Sequence, residues 1–123
     1  MATSKLQQVI NTIKGRQLPL SELRGYLTHP SPLIRANAIE VFGEHLHEDD
    51  ALVDEAVAFA KDPDHSFRLM GPITVAHVAV LALLSSRSAA AHRAGVALVN
   101  HWQESDRQDL LSFLKSEGIE LNA

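Results

Sequence analysis

Along this chain apolar residues return every three or four positions, the period of helices that each bury one face. Leu6, Val9, Ile10 and Ile13 predict a first helix. Ser4 with Gln7 has the spacing of a capping box at its start, and Gly15 can end it. Leu20, Leu23, Tyr26 and Leu27 predict a second helix starting near Pro19. It must stop by His29, because Pro30 disfavours the α region in the residue before it. Ser31 then reads as an N-cap and Pro32 as a first helical residue, where a missing N–H costs nothing. Ile34, Ala38, Val41, Phe42 and His45 line one face of this third helix, with Ile39 and Leu46 beside it.

A fourth helix, beginning at Asp49 or Asp50, carries Leu52, Val53, Ala56, Val57, Phe59 and Ala60 and stops at Asp62-Pro63. Asp64 is placed to cap the next helix. Gly71-Pro72 then interrupts the pattern: either one kinked helix covers 65–85, or the chain breaks and a new helix begins at 72. The break is the favoured expectation. From Ile73 to Ser85 apolar residues surround the whole helix, which predicts a central position. No strand alternation stands out, and the length and alanines of this run favour helix over buried strand. A sixth helix is predicted from Ser88 to Trp102. A seventh starts at Ser105, with Gln108 completing a second capping box, and ends before Gly118. Leu110, Leu111 and Leu114 form its inner face, and the tail "IELNA" is expected to dock lightly.

The pattern repeats. At an offset of 33, Pro30 falls on Pro63, Ile34 on Phe67, Arg35 on Arg68 and Ala38 on Gly71. Upstream, Leu20 falls on Val53, Leu23 on Ala56, Tyr26 on Phe59 and Leu27 on Ala60. A looser third copy begins at Arg93, where "RAGVALV" resembles "RANAIEV". A lone helical hairpin cannot bury its apolar faces, whereas stacked hairpins share a continuous core. The expected fold is therefore all-α: a short right-handed α-solenoid of about three hairpins and about seven helices. It forms a single domain over 1–123, with 1–18 as an N-terminal capping helix and 104–123 as a C-terminal capping helix and tail. Arg35, Arg68 and Arg93 each sit near the start of a unit's second helix. Their stems can pack while their heads reach a carbonyl or an acid, with Asp62 and Asp64 as candidate partners. Such contacts would anchor the register between repeats.

The stretches "HPSPLIRANAIEVFGEHL", "DPDHSFRLMGP" and "HRAGVALVNHW" resemble the HEAT-repeat family, in its phycobilisome-lyase-like, armadillo-type form. The resemblance covers roughly residues 19–102. It implies a protein-binding surface along one face of the stack. A bacterial subgroup of HEAT-like proteins comprises lyases and degradation factors that act on phycobiliproteins, so an accessory subunit of an enzyme or pigment complex is the second implied role. Some HEAT-like hydroxylases hold two irons with matched His-Glu pairs. Here only His47-Glu48 has that form, and Val80 stands at the matching offset. HEAT-like DNA glycosylases use a basic groove but are larger and more basic than this chain.

Charge sharpens the picture. The net charge is −4, yet residues 1–35 hold five bases against one acid, and 36–64 hold nine acids against one base. That distribution lacks the cationic footprint of a nucleic-acid binder. It marks Glu40, Glu44, His47, Glu48, Asp49, Asp50 and Asp54 as a candidate protein-binding surface for a partner with a basic patch. The basic and acidic units could also meet between copies. There are no cysteines, which removes disulfides, thiolate metal sites and a cysteine nucleophile and fits a reducing, cytoplasmic setting. The longest mainly apolar run, Ile73–Leu84, is 12 residues, too short to span a bilayer. No GxSxG, phosphate loop or HExxH occurs. His77 reads as a satisfied core histidine, and His101-Trp102 as the edge of the stack. The expectation is a non-catalytic adaptor without cofactor or metal.

Overall fold

The computed structural model describes residues 4–62, 65, 68–70 and 73–116, with backbone alone at Arg68 and Met70. Small polar side chains start its helices. Ser4 Oγ accepts from the Gln7 N–H at 3.1 Å at the head of α1 (Lys5–Lys14). α2 (Leu20–Leu27) follows Pro19, and Ser31 caps α3 (Pro32–Phe42) with Pro32 as its first residue. Asp49 accepts from the Ala51 N–H at 2.9 Å to cap α4 (Asp50–Lys61), and Ser88 caps α6 (Ala89–His101). Each acceptor satisfies an orphan N–H of a first turn, which contributes about 1 kcal/mol.

Several local expectations are corrected. Ser4 caps α1, but the reciprocal half of the box is replaced, because the Gln7 amide donates to Asn11 Oδ1 at 2.9 Å. Gly15 does end α1, as its C-cap, but with a right-handed backbone (φ −66°); Arg16 is the left-handed residue past the helix end, with φ 58°. The third helix does not continue to Leu46: α3 stops at Phe42, and Gly43–Glu48 winds into a tighter 3-10 segment. α7 (Glu104–Ser116) already includes Ser105, so the Ser105–Gln108 box does not form; Gln108 donates to Glu104 Oε1 at 2.9 Å instead.

The largest departure lies after α4. β1 (Arg68–Met70) pairs antiparallel with β2 (Ile73–Thr74), Arg68 opposite Thr74 and Met70 opposite Ile73. The offset of 33 therefore places the start of a helix at Arg35 and a strand at Arg68. Residues either side of Gly71-Pro72 are extended, so one kinked helix over 65–85 is not formed, and α5 (Val75–Ser85) begins afresh. Gly71-Pro72 itself, Asp64 and the tail "IELNA" lie outside the described residues.

Beyond that strand pair the described chain is helical, and α5 lies at its centre. It packs against α3, α4 and α6, as its all-round apolar pattern requires. Val75, Ala79, Val80 and Leu83 are fully buried there, with Ile39, Phe42 and Leu46 among the core residues. Burial of a side chain such as Phe42 contributes on the order of 2 kcal/mol. α2 packs on α3, and α5 on α6, as sequence-adjacent pairs. No helix among the described residues is long and apolar enough to cross a membrane.

Candidate protein-binding groove

The central helix leaves part of one face uncovered. Val78, Leu81 and Ala82 of α5 are half-buried and form the floor of a groove of about 760 Å³. Leu69 of β1, Ile73 of β2 and Phe113 of α7 supply its apolar walls. The rim is polar: Glu40 and Glu44 stand on one side, and Arg87, from the α5–α6 turn, on another. A groove with an apolar floor and a sparse charged rim can take the apolar face of a ligand or peptide while orienting it by charge.

The candidate acidic residues are all exposed, but they do different things. Glu44 forms a two-pronged pair with Arg16, whose Nε and Nη2 each donate at 2.8 Å. That contact holds the Glu44 carboxyl below the usual carboxylate range and raises Arg16. His47 Nε2 accepts from Arg87 Nη2 at 3.2 Å. Glu48 accepts from His45 Nδ1 at 2.6 Å, and Asp49 is committed to the α4 cap. Asp50 and Asp54 lie exposed on α4, away from the groove lining. Glu40 and Glu44 are thus the members of the set that the fold brings to the groove.

Part of the charge segregation is resolved within the chain. Arg16 meets Glu44, and Arg24 meets Glu55 through Nε and Nη2 at 2.8 and 2.9 Å. Bases of the first unit therefore fold onto acids of the second. The candidate register anchors diverge. The Arg35 head does reach carbonyls: its Nη1 donates to those of His29 at 2.8 Å and Pro30 at 3.2 Å. Those carbonyls belong to its own α2–α3 turn. Asp62 lines the same cleft of about 500 Å³ beside Arg35. Arg93 is exposed on α6 and makes no hydrogen bond or ion pair among the described residues. Arg68 is placed by its strand alone.

No protein-family model, curated protein or solved structure matches this chain.

His77 is buried, at 2% exposure, and fully engaged. Its Nδ1 accepts the Thr74 N–H at 2.9 Å while Thr74 Oγ1 accepts the His77 N–H at 3.2 Å, a reciprocal capping box at the head of α5. That fixes the proton on Nε2, which faces the Asp106 carbonyl of α7 at 3.4 Å. Trp102 stands edge-on to the ring at 5.0 Å. Burial, opposed by Asp106 and Asp109, pushes the imidazole below the ordinary histidine range. His65 is also buried, stacked on Phe59 at 3.7 Å, and donates through Nδ1 to the Phe59 carbonyl. Among the described residues no three His, Asp or Glu side chains are grouped to hold a metal.

The groove and the Thr74–His77 box had no place in the sequence expectations. The first depends on α3, the 3-10 segment and α7 coming together around β1, β2 and α5. The second had a local signal, Thr-x-x-His ahead of an apolar run, which a search for Glu or Gln at the third helical position passes over.

Proposed function

We propose that this chain is a non-catalytic binding module of HEAT-like character, an adaptor that holds an amphipathic helix of a partner protein in the α5 groove. The observation that supports it most is the row of half-buried Val78, Leu81 and Ala82 on the central helix. A central helix of a closed bundle would have these positions covered. The partner's apolar residues would lie along that row, the helix-in-groove mode of recognition. A Lys or Arg of the partner would face Glu40 and Glu44, in keeping with the chain's charge of −4.

The test is affinity purification with mass spectrometry from the native host, followed by cross-link mapping of the bound segment. Leu81→Glu places a charge on the floor without emptying the core. It should abolish capture of the specific partner, whereas Glu48→Lys with Asp54→Lys, away from the groove, should leave it. A mapped segment that is amphipathic and basic supports the proposal. Retention by Leu81→Glu, with loss in the α4-side double variant, would move the binding surface to the acidic patch. A coloured co-purifying pigment protein would instead favour the accessory-subunit role in a pigment complex.

A further inference from the structure

The groove rim carries both signs of charge, and at different levels. Gly43 abuts Ala82 of α5, and His47, four residues on, meets Arg87, five residues beyond Ala82. The 3-10 segment therefore runs alongside α5 in the same direction. α3 enters that segment with helical backbone at Phe42 and Gly43, so Glu40 stands one turn earlier. Glu40 and Arg87 are thus on the order of 10 Å apart along the groove, about two turns of a helix laid in it.

Neither charge is cancelled where it stands. At the first level Glu40 and Glu44 share one cation, Arg16. Glu44 holds it in the two-pronged pair, and Glu40 acts on it only through space. One negative charge is left over. At the second level Arg87 meets the His47 imidazole, and among the described residues no carboxylate pairs with it. A guanidinium has five N–H donors, and His47 takes one of them. Ser85, the exposed last residue of α5, also lines the groove and adds a hydroxyl donor two residues before Arg87.

We propose that the groove selects a helix with a dipolar flank: a base that faces Glu40 and Glu44 and, about two turns away, an acid that Arg87 clamps. This rests on the α5-groove reading and adds the acid to it. A uniformly basic helix would set a second cation against Arg87, and a uniformly acidic one would set carboxylates against Glu40. The apolar floor gives these rim charges their weight. An occupant lying over Val78, Leu81 and Ala82 shields the groove side of Arg87 from water. There a like charge is costly, and a carboxylate gains two parallel N–H···O bonds.

The probes are three synthetic amphipathic peptides of about five helical turns, sharing one leucine stripe for the floor. Only their flanking charges differ. The dipolar peptide carries Glu in its N-terminal half and Lys in its C-terminal half, the order that a helix's own dipole favours. The other two carry Lys throughout or Glu throughout. Affinities for the full chain are read by fluorescence anisotropy at about 0.15 M salt, where long-range attraction by the net charge is screened. The dipolar peptide should bind roughly three- to tenfold more tightly than either of the others. Arg87→Glu should reverse its lead over the all-Lys peptide, and Glu40→Lys its lead over the all-Glu peptide. Both residues are exposed, so neither exchange disturbs the core. Each peptide is compared on wild type and variant, which cancels differences in intrinsic helicity.

The inference is overturned if the all-Lys peptide binds wild type as tightly as the dipolar one, or if Arg87→Glu leaves the ranking unchanged. Leu81→Glu separates that failure from failure of the groove reading, with Val78→Glu as the floor variant if Leu81→Glu does not fold. If the floor variant still binds the dipolar peptide, or if no peptide binds wild type, the groove is not the site and both readings fall. If the floor variant abolishes binding while the three peptides bind wild type equally, only the dipolar selection falls.

Discussion

A methyl group placed on Gly43 would lie 2.6 Å from the Cβ of Ala82, closer than two carbons can approach. Gly43 has an ordinary right-handed backbone, φ −58° and ψ −25°, so the requirement here is space. The 3-10 segment passes directly over α5 at this point, and Ala82 lies on the groove floor. Gly43→Ala should destabilise the fold by about 1–3 kcal/mol, the usual cost of overpacking. Adding Ala82→Gly should restore part of that loss, less about 1 kcal/mol for a glycine inside a helix. A double-mutant cycle by urea denaturation measures the coupling; additive effects would mean that the two residues do not meet.

Two other glycines differ from Gly43 in the room around them. Gly25, inside α2, has nothing within 4 Å of where a methyl would stand, so Gly25→Ala should stabilise by about 0.5–1 kcal/mol through helix propensity alone. At Gly95 of α6 the nearest atom is Leu84 Cδ2 at 2.9 Å, the end of a flexible side chain, with Leu83 Cβ at 3.2 Å behind it. There the propensity gain and the crowding nearly cancel. Melting temperatures should therefore fall in the order Gly25→Ala, Gly95→Ala, Gly43→Ala; any inversion contradicts the packing.

What was legible in the sequence was mostly local chemistry. Ser31, Asp49 and Ser88 fix helix starts because an N-cap acts within its own first turn. At the 33-residue offset Leu23 of α2 and Ala56 of α4 are both buried helical residues. The offset failed at Arg68, where identity with Arg35 carried no information about backbone and the chain forms β1. The pairs Arg16–Glu44 and Arg24–Glu55 span 28 and 31 residues. No periodicity marks such partners, so the charge segregation was visible in the sequence and its internal pairing was not. The groove was hidden for the same reason: Leu69, Leu81 and Phe113 meet only once the elements are assembled.

Arg16 combines a strained backbone with an ion pair, and acid separates the two. Its left-handed φ of 58° costs roughly 1 kcal/mol, while the exposed pair with Glu44 returns at most about 1 kcal/mol. Glu44 has a depressed folded pKa, so its contribution is present above the unfolded value near 4.5 and is lost as pH falls through the folded one. Arg16→Gly relieves the backbone and loses the pair, and should be close to wild type at neutral pH. Below the Glu44 transition it should exceed wild type, because only the strain then differs. Arg16→Ala should be the least stable of the three at neutral pH. Guanidinium melts at neutral pH would be screened by the denaturant's own salt, so urea is the appropriate denaturant.

Arg35 is the recurrent arginine whose contacts are seen, and those contacts set different costs for different replacements. Its Nη1 holds two carbonyls of the α2–α3 turn, while its Nε is buried without a hydrogen-bond partner. The guanidinium therefore combines a favourable and an unfavourable interaction. Arg35→Ala removes the stem and both bonds, and leaves the part-buried His29 carbonyl short of a donor; a loss of about 2 kcal/mol is expected. Arg35→Lys retains the stem and one charged donor, and removes the buried Nε–H. Lysine should therefore recover more than half of the alanine loss, although it cannot reproduce a planar fork. Urea denaturation of the three proteins checks the order. If Arg35→Ala matched wild type, the arginine would not fix the turn between α2 and α3.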